Sequence, residues 1–242
     1  MNYKNPPIEE AIFDVKVENL NISSIEDLEL FHGFIKDDYP KKKKNFSFTS
    51  SISLDTKNKV GSQTNSDLIG FVFLNESENE QIQLRLDGFT FNIVKSYKNW
   101  DIHFSKFLDH WSRYNELFKP NRIAAIATRY INKINLQIPF RNFEEYLTII
   151  PSIPASLPQS FANFYLQMHI PCSDNIRQCV MSEYLGPLNE GKLPIFLDIN
   201  VFQDNKIENS IKDFELNFNE IRKIKNEIFE SCITQKTREL FV

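Results

Sequence analysis

The residues that could carry acid–base or metal chemistry in this chain are few and widely spaced. Its four histidines are His32, His103, His110 and His169, and the chain has no HExxH, GxSxG, P-loop or Rossmann pattern. His103 and His110 lie about two helical turns apart, which is too far for joint metal ligation. The sequence therefore gives no positive indication of an enzyme and predicts no metal and no cofactor. An enzyme whose groups converge from distant segments is retained as a distant alternative.

The cysteines and the hydropathy pattern bear on the compartment. Cys172, Cys179 and Cys232 are too few and wrongly spaced for a zinc site. An odd number of cysteines without a signal peptide favours reduced thiols in the cytoplasm. No apolar run approaches the ~20 residues that a membrane span requires. The sequence predicts a soluble, cytoplasmic protein that has no membrane partner.

The main basic feature is the run Lys41, Lys42, Lys43 and Lys44, which we expect to form a turn after Pro40. Four lysines in a turn would contact phosphate groups without reading bases. The run has no interleaved aromatic residue on which bases could stack. A solvated loop tip is the alternative interpretation. The net charge of −4 gives no overall attraction to nucleic acid.

The hydrophobic pattern predicts the elements that position these residues. The first half is expected to contain strands at 11–18, 46–54, 69–73 and 81–94, helices at 24–38 and 100–120, and a polar loop at 55–67. The second half is expected to contain strands at 122–136, 161–170, 177–185 and 194–202, and helices at 142–149 and 210–232. Each half thus reads β-α-β-β-β-α.

The two halves also resemble each other at a constant offset. Phe107 matches Phe218, Leu117 matches Ile228 and Phe118 matches Phe229. Such self-similarity indicates a duplicated unit, although apolar residues also align by chance. We predict an α+β fold in which repeats at 1–120 and 121–242 form one structural domain. Its curved, mostly antiparallel sheet would carry the helices on one face.

The Asp87-Gly88 pair leaves two interpretations open. It marks a hairpin turn, which the dipeptide itself favours, or a bulge in one long strand. The matching stretch of the second half has room for one strand only. We therefore favour the bulge.

The face of the sheet opposite the helices should be polar and concave, and we expect a protein partner or a second subunit to bind there. Its expected members are Ser47, Thr49, Gln83, Arg85, Asn92, Arg129, Lys133, Asn163, Gln167, Asp198 and Asn200. A sheet face that is merely hydrated is the alternative. Arg129 follows a stretch that is apolar on both faces, so its guanidinium must reach this face or pair with an acid. Asp198 is the acid that we favour.

Three stretches together resemble one prokaryotic family. They are NPPIEEAI at 5–12, RYINKI at 129–134 and KNEIFESCIT at 225–234, with Tyr97, Trp100, Trp111 and Tyr114 between them. The chain is similar over its full length to this sporadically distributed, uncharacterised family. The resemblance implies a stand-alone protein whose occurrence is like that of anti-phage defence genes. It brings no established activity.

Most motif residues have structural interpretations. Trp100 and Trp111 are expected to be core anchors, and Lys225 and Asn226 to cap or pin the last helix. Arg129, Tyr130 and Asn132 form the cluster richest in donors. They are either a binding site or a network that ties the halves together.

We therefore predict a non-enzymatic protein-interaction module that serves as a sensor or adaptor in a prokaryotic anti-phage defence system. The candidate binding residues are Arg129, Tyr130, Asn132, Arg85, Asn92, Lys41, Lys42, Lys43 and Lys44. A nucleic-acid-binding saddle is the alternative, because a tandem saddle resembles the TATA-binding architecture. The absence of a basic stripe counts against it.

Overall fold

Strands with alternating apolar residues assemble into one antiparallel sheet. The computed structural model describes residues 3–54, 60–205, 207 and 211–242. The nine described strands are β1 (Ile8–Glu18), β2 (Lys41–Leu54), β3 (Val60–Leu74), β4 (Glu80–Arg85), β5 (Gly88–Val94), β6 (Arg122–Gln137), β7 (Tyr165–Pro171), β8 (Gln178–Leu185) and β9 (Lys192–Gln203). Their order across the sheet is β2-β3-β4-β5-β1-β6-β9-β8-β7. The fold is α+β, as predicted.

Two long helices cross the sheet. The helices are α1 (His32–Ile35), α2 (Trp100–Phe118), α3 (Ile211–Cys232) and α4 (Gln235–Arg238), with 3-10 turns at Ile25–Phe31, Phe143–Glu145 and Glu239–Phe241. Asn99 caps α2, because its side chain accepts the Ile102 N–H at 3.0 Å. The helix ends at Phe118, and its C-cap Lys119 takes a left-handed conformation before Pro120.

The core lies between these helices and one face of the sheet. Phe13 in the central strand β1 has its ring centroid 5.1 Å from that of Phe107 in α2 and 6.4 Å from that of Phe218 in α3. Phe107 and Phe218 lie 5.0 Å apart, so the two helices also pack against each other. Trp100 and Trp111 are buried, as expected of core anchors. Each half of the chain thus contributes to one shared core.

Asp87-Gly88 belongs to a hairpin, so the favoured bulge is wrong. Arg85 pairs with Gly88 across antiparallel strands β4 and β5, and Leu86 and Asp87 form the two-residue turn. Gly88 is required there because a Cβ at this position would lie 2.4 Å from the carbonyl oxygen of Val15. The prediction of a bulge requires equal numbers of strands in the two halves. The first half has five described strands and the second has four.

The lysine run lies in a strand and not in a turn. Lys41 to Lys44 open β2, where they pair with Leu74 to Phe71 of β3. Residues 60–67 of the predicted loop lie in β3 instead, and residues 55–59 lie outside the described part. β3 pairs with β4 only at 70–74, so β2 and β3 continue beyond the sheet as a two-stranded ribbon.

Two predicted helices are reduced. Residues 24–38 form a 3-10 helix followed by the single turn α1, and residues 142–149 keep only the 3-10 turn. In the second case the backbone binds elsewhere, because the Thr148 N–H donates to the carbonyl of Cys232 at 3.0 Å and Leu147 bridges to Ile233. These contacts with the end of α3 compete with helix continuation. The duplication stays a prediction.

Candidate functional site

The structure separates the predicted donor cluster onto two faces of the sheet. Side chains alternate along a strand, so Arg129 in β6 points to the open face while Tyr130 and Asn132 point to the helix-covered face. Tyr130 and Asn132 are buried, and Arg129 is exposed. The three residues therefore do not form one surface.

Arg129 pairs with Asp198, the acid favoured from the sequence. Its Nε lies 2.9 Å from Oδ1 and its Nη2 lies 2.5 Å from Oδ2 of Asp198 in β9. The Arg129 side chain is 46% exposed and that of Asp198 is 9% exposed. Hydrogen bonding to Asp198 raises the pKa of Arg129. The guanidinium both reaches the open face and satisfies the buried carboxylate.

The other open-face candidates are also engaged within the sheet. Arg85 donates to Asp14 at 3.0 Å and to Thr90 at 2.7 Å, and Thr90 in turn donates to Asp14 at 2.6 Å. Asn92 donates to Glu10 at 2.6 Å. These bonds link neighbouring strands β4, β5 and β1, so Arg85 and the amide nitrogen of Asn92 are engaged within the sheet.

Three of the four lysines in β2 have acidic neighbours. Lys41 and Lys43 lie 3.2 and 3.3 Å from Glu78, and Lys42 lies 2.5 Å from Glu29. Lys44 is exposed. The pairs reduce the positive potential that the run would offer to phosphate groups.

A cavity on the helix-covered side brings the family-like stretches together. We name it the arm cavity, because residues 3–7, the arm, form one of its walls. Its volume is about 280 Å³, and its lining consists of Tyr3, Pro6, Pro7, Ile8, Tyr97, Lys98, Asn99, Trp100, Asp101, Asn132, Arg222, Lys225, Asn226, Phe229 and Glu230. All three stretches and Tyr97–Trp100 contribute residues to it. This size is just below the ~300–1,000 Å³ of ordinary ligand clefts.

Long-range hydrogen bonds hold the arm across the cavity. The Tyr3 hydroxyl donates to the Glu230 carboxylate at 2.8 Å, and the Pro7 carbonyl accepts the Lys133 N–H at 2.7 Å. Arg238 donates to the same carboxylate at 2.9 Å. Burial and, to a smaller extent, the neighbouring Glu230 carboxylate raise the pKa of Tyr3 to about 12, so this hydroxyl remains a donor. The Glu230 carboxylate of the cavity wall thus already has hydrogen-bond donors.

Lys225 is a buried charged residue of this wall that has no hydrogen-bond or ion-pair partner among the described residues. It is 9% exposed, and its Nζ lies 3.9 Å from the centre of the Tyr130 ring. Within the described part of the chain, no group accepts a hydrogen bond from this ammonium or forms an ion pair with it. Burial and, to a smaller extent, the positive charge of Arg222 lower the pKa of Lys225 to about 7. Lys225 lies inside α3 and does not cap it, and its contact with Tyr130 joins α3 to β6.

A second cation and a helix end lie beside Lys225. Arg222 precedes it by three residues on α3, the spacing that puts two side chains on one helix face. Its guanidinium stacks 5.0 Å from the Trp100 ring and lies 3.8 Å from the largely exposed Asp101. Trp100 and Asp101 form the first turn of α2, whose positive dipole end faces the cavity region.

Neutral hydrogen bonds fix the aromatic wall. The Tyr130 hydroxyl donates to the Tyr97 hydroxyl at 3.1 Å, and Tyr97 stacks on His103. The Lys98 N–H donates to Nε2 of His103 at 3.1 Å. Burial lowers the pKa of His103 and raises that of Tyr130. Tyr97, which lines the cavity, is thus held by two neighbouring rings, Tyr130 and His103, that stay uncharged at neutral pH.

Sequence reasoning missed the two buried charged residues that stand out most. Besides Lys225, Glu183 in β8 is fully buried, and neither of its carboxylate oxygens has a hydrogen-bond partner in the part of the chain that the structure describes. Burial raises the pKa of Glu183 to about 7. The signal for Glu183 was available, since it shares the parity of Cys179 and Met181 on an apolar strand face.

The comparisons add no family. The chain matches no protein-family model, and no curated protein is similar to it in sequence. In the described ranges, no group of three or more His, Cys, Asp or Glu residues is placed to hold a metal ion. None of the described helices combines the length and apolar character needed to cross a membrane.

Proposed function

We propose that this protein is a non-enzymatic sensor module that binds a small ligand in the arm cavity. The observation that carries the proposal is the unpaired ammonium of Lys225. Burying an unpaired charge costs several kcal/mol, and a cation–π contact returns about 2 kcal/mol. A protein that keeps such a group in a cavity wall has a use for it, and a ligand would supply the missing partner.

The two tryptophans provide an internal test. Trp100 lines the cavity, whereas Trp111 is buried on the same helix outside the cavity. The protein would be labelled with 5-fluorotryptophan, and Trp111→Phe would assign the two fluorine resonances. A panel of small carboxylates, phosphates, sugars and nucleosides would then be added. We expect at least one compound to shift the Trp100 resonance and leave Trp111 in place; no such compound in the panel would contradict the proposal.

A protein partner on the open face is the second candidate function. An aromatic strip crosses this face, formed by Tyr165, Tyr184 and Phe196, with ring centroids 5.9 and 5.0 Å apart. Tyr165 is 64% exposed. Exposed aromatic groups of this kind are enriched in protein interfaces. We propose self-association through the strip. Sedimentation should show a dimer that Tyr165→Glu dissociates, and a wild-type monomer at all concentrations would exclude it.

The resemblance supports a role for this module in anti-phage defence in the cytoplasm. The three cysteines are buried and free, which fits a reducing compartment. A nuclease or ATPase gene beside this one would support the role of sensor or adaptor. Loss of phage protection on deleting this gene from such a locus would test it directly; full protection without the gene would contradict it.

Nucleic-acid binding is the less favoured function because Lys41, Lys42 and Lys43 have acidic neighbours. We expect duplex DNA to bind at most non-specifically and to dissociate as salt rises. A salt-resistant, sequence-selective complex in a gel-shift experiment would reverse this order.

We also propose that the two halves arose by duplication. The strand order supports it, since β5-β1 and β9-β6 meet at the β1–β6 junction, and each half ends in a long helix. Superposing β1, β4, β5 and α2 on β6, β8, β9 and α3 should give one rotation near 180° that fits all four elements. Elements that require different rotations would argue against duplication.

A further inference from the structure

The geometry points to a phosphate monoester as the ligand of the arm cavity, with its phosphate between Lys225 and Arg222. This inference rests on the proposed function and specifies the ligand that the cavity takes. The charged groups of the wall differ in whether they already have a partner within the protein.

The acids of the wall are occupied or directed to solvent, while the buried cation Lys225 has no acidic partner among the described residues. Glu230 already accepts from Tyr3 and Arg238. Asp101 is 89% exposed and lies 3.8 Å from Arg222, beyond hydrogen-bond distance. Lys225 is nine-tenths buried and has no acid at all among the residues described. The cavity thus has an uncompensated positive charge at its buried end.

The two cations on one face of α3, Lys225 and Arg222, select the anion. A phosphate monoester carries about −1.5 to −2 charges at pH 7, which matches an ammonium and a guanidinium together. A carboxylate carries a single charge, so it would leave the Arg222 guanidinium to the largely exposed Asp101 alone. Arginine also binds phosphate through two parallel hydrogen bonds. The first turn of α2, which includes Trp100, adds the positive end of a helix dipole.

The rest of the cavity suits a small organic group. Pro7, Ile8 and Trp100 provide apolar surface beside the cations. At about 280 Å³ the space admits a molecule of metabolite size rather than a polymer. The phosphate would come from a small phosphorylated metabolite, and free inorganic phosphate is the other source of the same chemistry.

Three probes that share one ring separate these possibilities: benzyl phosphate, phenylacetate and benzyl alcohol, with inorganic phosphate as a fourth. Binding would be measured by calorimetry at pH 6.5 and constant ionic strength, and localised by the Trp100 fluorine resonance. We expect benzyl phosphate to bind most tightly and to shift Trp100. Inorganic phosphate should bind more weakly, because it lacks the apolar contacts; equal affinity would overturn the assignment to an ester.

Variants on one helix supply the control. Lys225→Met removes the buried charge and should weaken the binding of benzyl phosphate by about tenfold or more. Lys223→Met removes an exposed charge two residues away and should change the affinity less than about twofold. Melting of each variant confirms that it is folded. Equal losses in both variants would overturn the inference.

The failures are distinguishable. If benzyl alcohol or phenylacetate shifts Trp100 and benzyl phosphate does not, the phosphate inference is wrong and the cavity remains a ligand site. If none of the compounds in either panel shifts Trp100, both proposals fail together.

Discussion

The buried ammonium of Lys225 sets a pH dependence on the stability of the free protein. Its pKa falls from 10.5 to about 7 on folding, so between these values the unfolded chain binds more protons than the folded one. Stability therefore rises with pH across this window, and the penalty is fully present below about pH 7. Its source is the burial of a charge that no described group balances.

Replacing Lys225 by Met should remove this penalty. We expect the variant to exceed the wild type in free energy of unfolding by on the order of 4 kcal/mol at pH 6. The difference should shrink as pH rises from 7 towards 10, because the wild-type lysine loses its proton. Urea unfolding at several pH values measures it, with Lys223→Met as the control. A pH-independent difference would show that packing and not charge is responsible.

Glu183 has the opposite dependence. Burial raises its pKa from 4.5 to about 7, so the folded state binds more protons between these values and stability falls as pH rises through them. We expect Glu183→Gln to stabilise the protein by on the order of 3 kcal/mol at pH 8 and to have no effect at pH 4. Paired urea titrations would measure this, and an equal effect at both pH values would contradict it.

The Arg129–Asp198 pair should act structurally. Removing Arg129 leaves the largely buried Asp198 carboxylate without its guanidinium donor, so Arg129→Ala should cost about 1–3 kcal/mol. The double variant Arg129→Ala/Asp198→Ala should recover part of this loss, which a double-mutant cycle would show as coupling. If Arg129→Ala leaves stability unchanged and abolishes self-association, the residue belongs to an interface instead.

At the scale of elements, the helix-on-sheet contact depends on Phe107. Its ring is fully buried and lies close to Phe13 and Phe218. Phe107→Ala should cost about 3–5 kcal/mol of unfolding free energy. Ile102→Ala, on the exposed side of α2, should change it by about 0.5 kcal/mol or less. Similar losses in the two variants would remove the packing model.

Periodic sequence patterns predicted the long elements well and the short ones poorly. The hydrophobic pattern located α2, which contains Phe107, and β6, which contains Ile123. The prediction of a helix at 142–149 was wrong, because the Thr148 N–H donates to the carbonyl of Cys232, which is far away in sequence. The prediction of a turn at the lysines of β2 was wrong. A run of four lysines is typical of a loop, but here Glu29 and Glu78 balance charges of the run within the fold.

The arm cavity could not be predicted from the sequence either, because it too depends on contacts between residues that are distant in the chain. Tyr3 meets Glu230 across almost the whole chain, and Lys225 faces Tyr130 from another element. Local periodicity carries no information about such contacts. The motif stretches were visible in the sequence, and their convergence on one space required the fold.

At the scale of the whole molecule, the two halves share a core and should unfold together. β1 pairs with β6 along its length, and Phe104 and Phe107 of the first half contact Phe218 of the second. Both tryptophans lie in the first half, whereas far-ultraviolet circular dichroism reports on both. The two signals should give one coincident unfolding transition. Fragments 1–120 and 121–242 should each lack cooperative unfolding alone, and an independently folded fragment would contradict a shared core.

The unpaired ammonium in the arm cavity also bears on how the protein would respond to directed evolution. A mutant library sorted only for resistance to heat would enrich replacements of Lys225, since losing that charge helps the unliganded fold. Natural sequences often keep such unfavourable groups where they serve a function. The positions at which laboratory selection departs most from the wild-type sequence would then map the site without any ligand in hand.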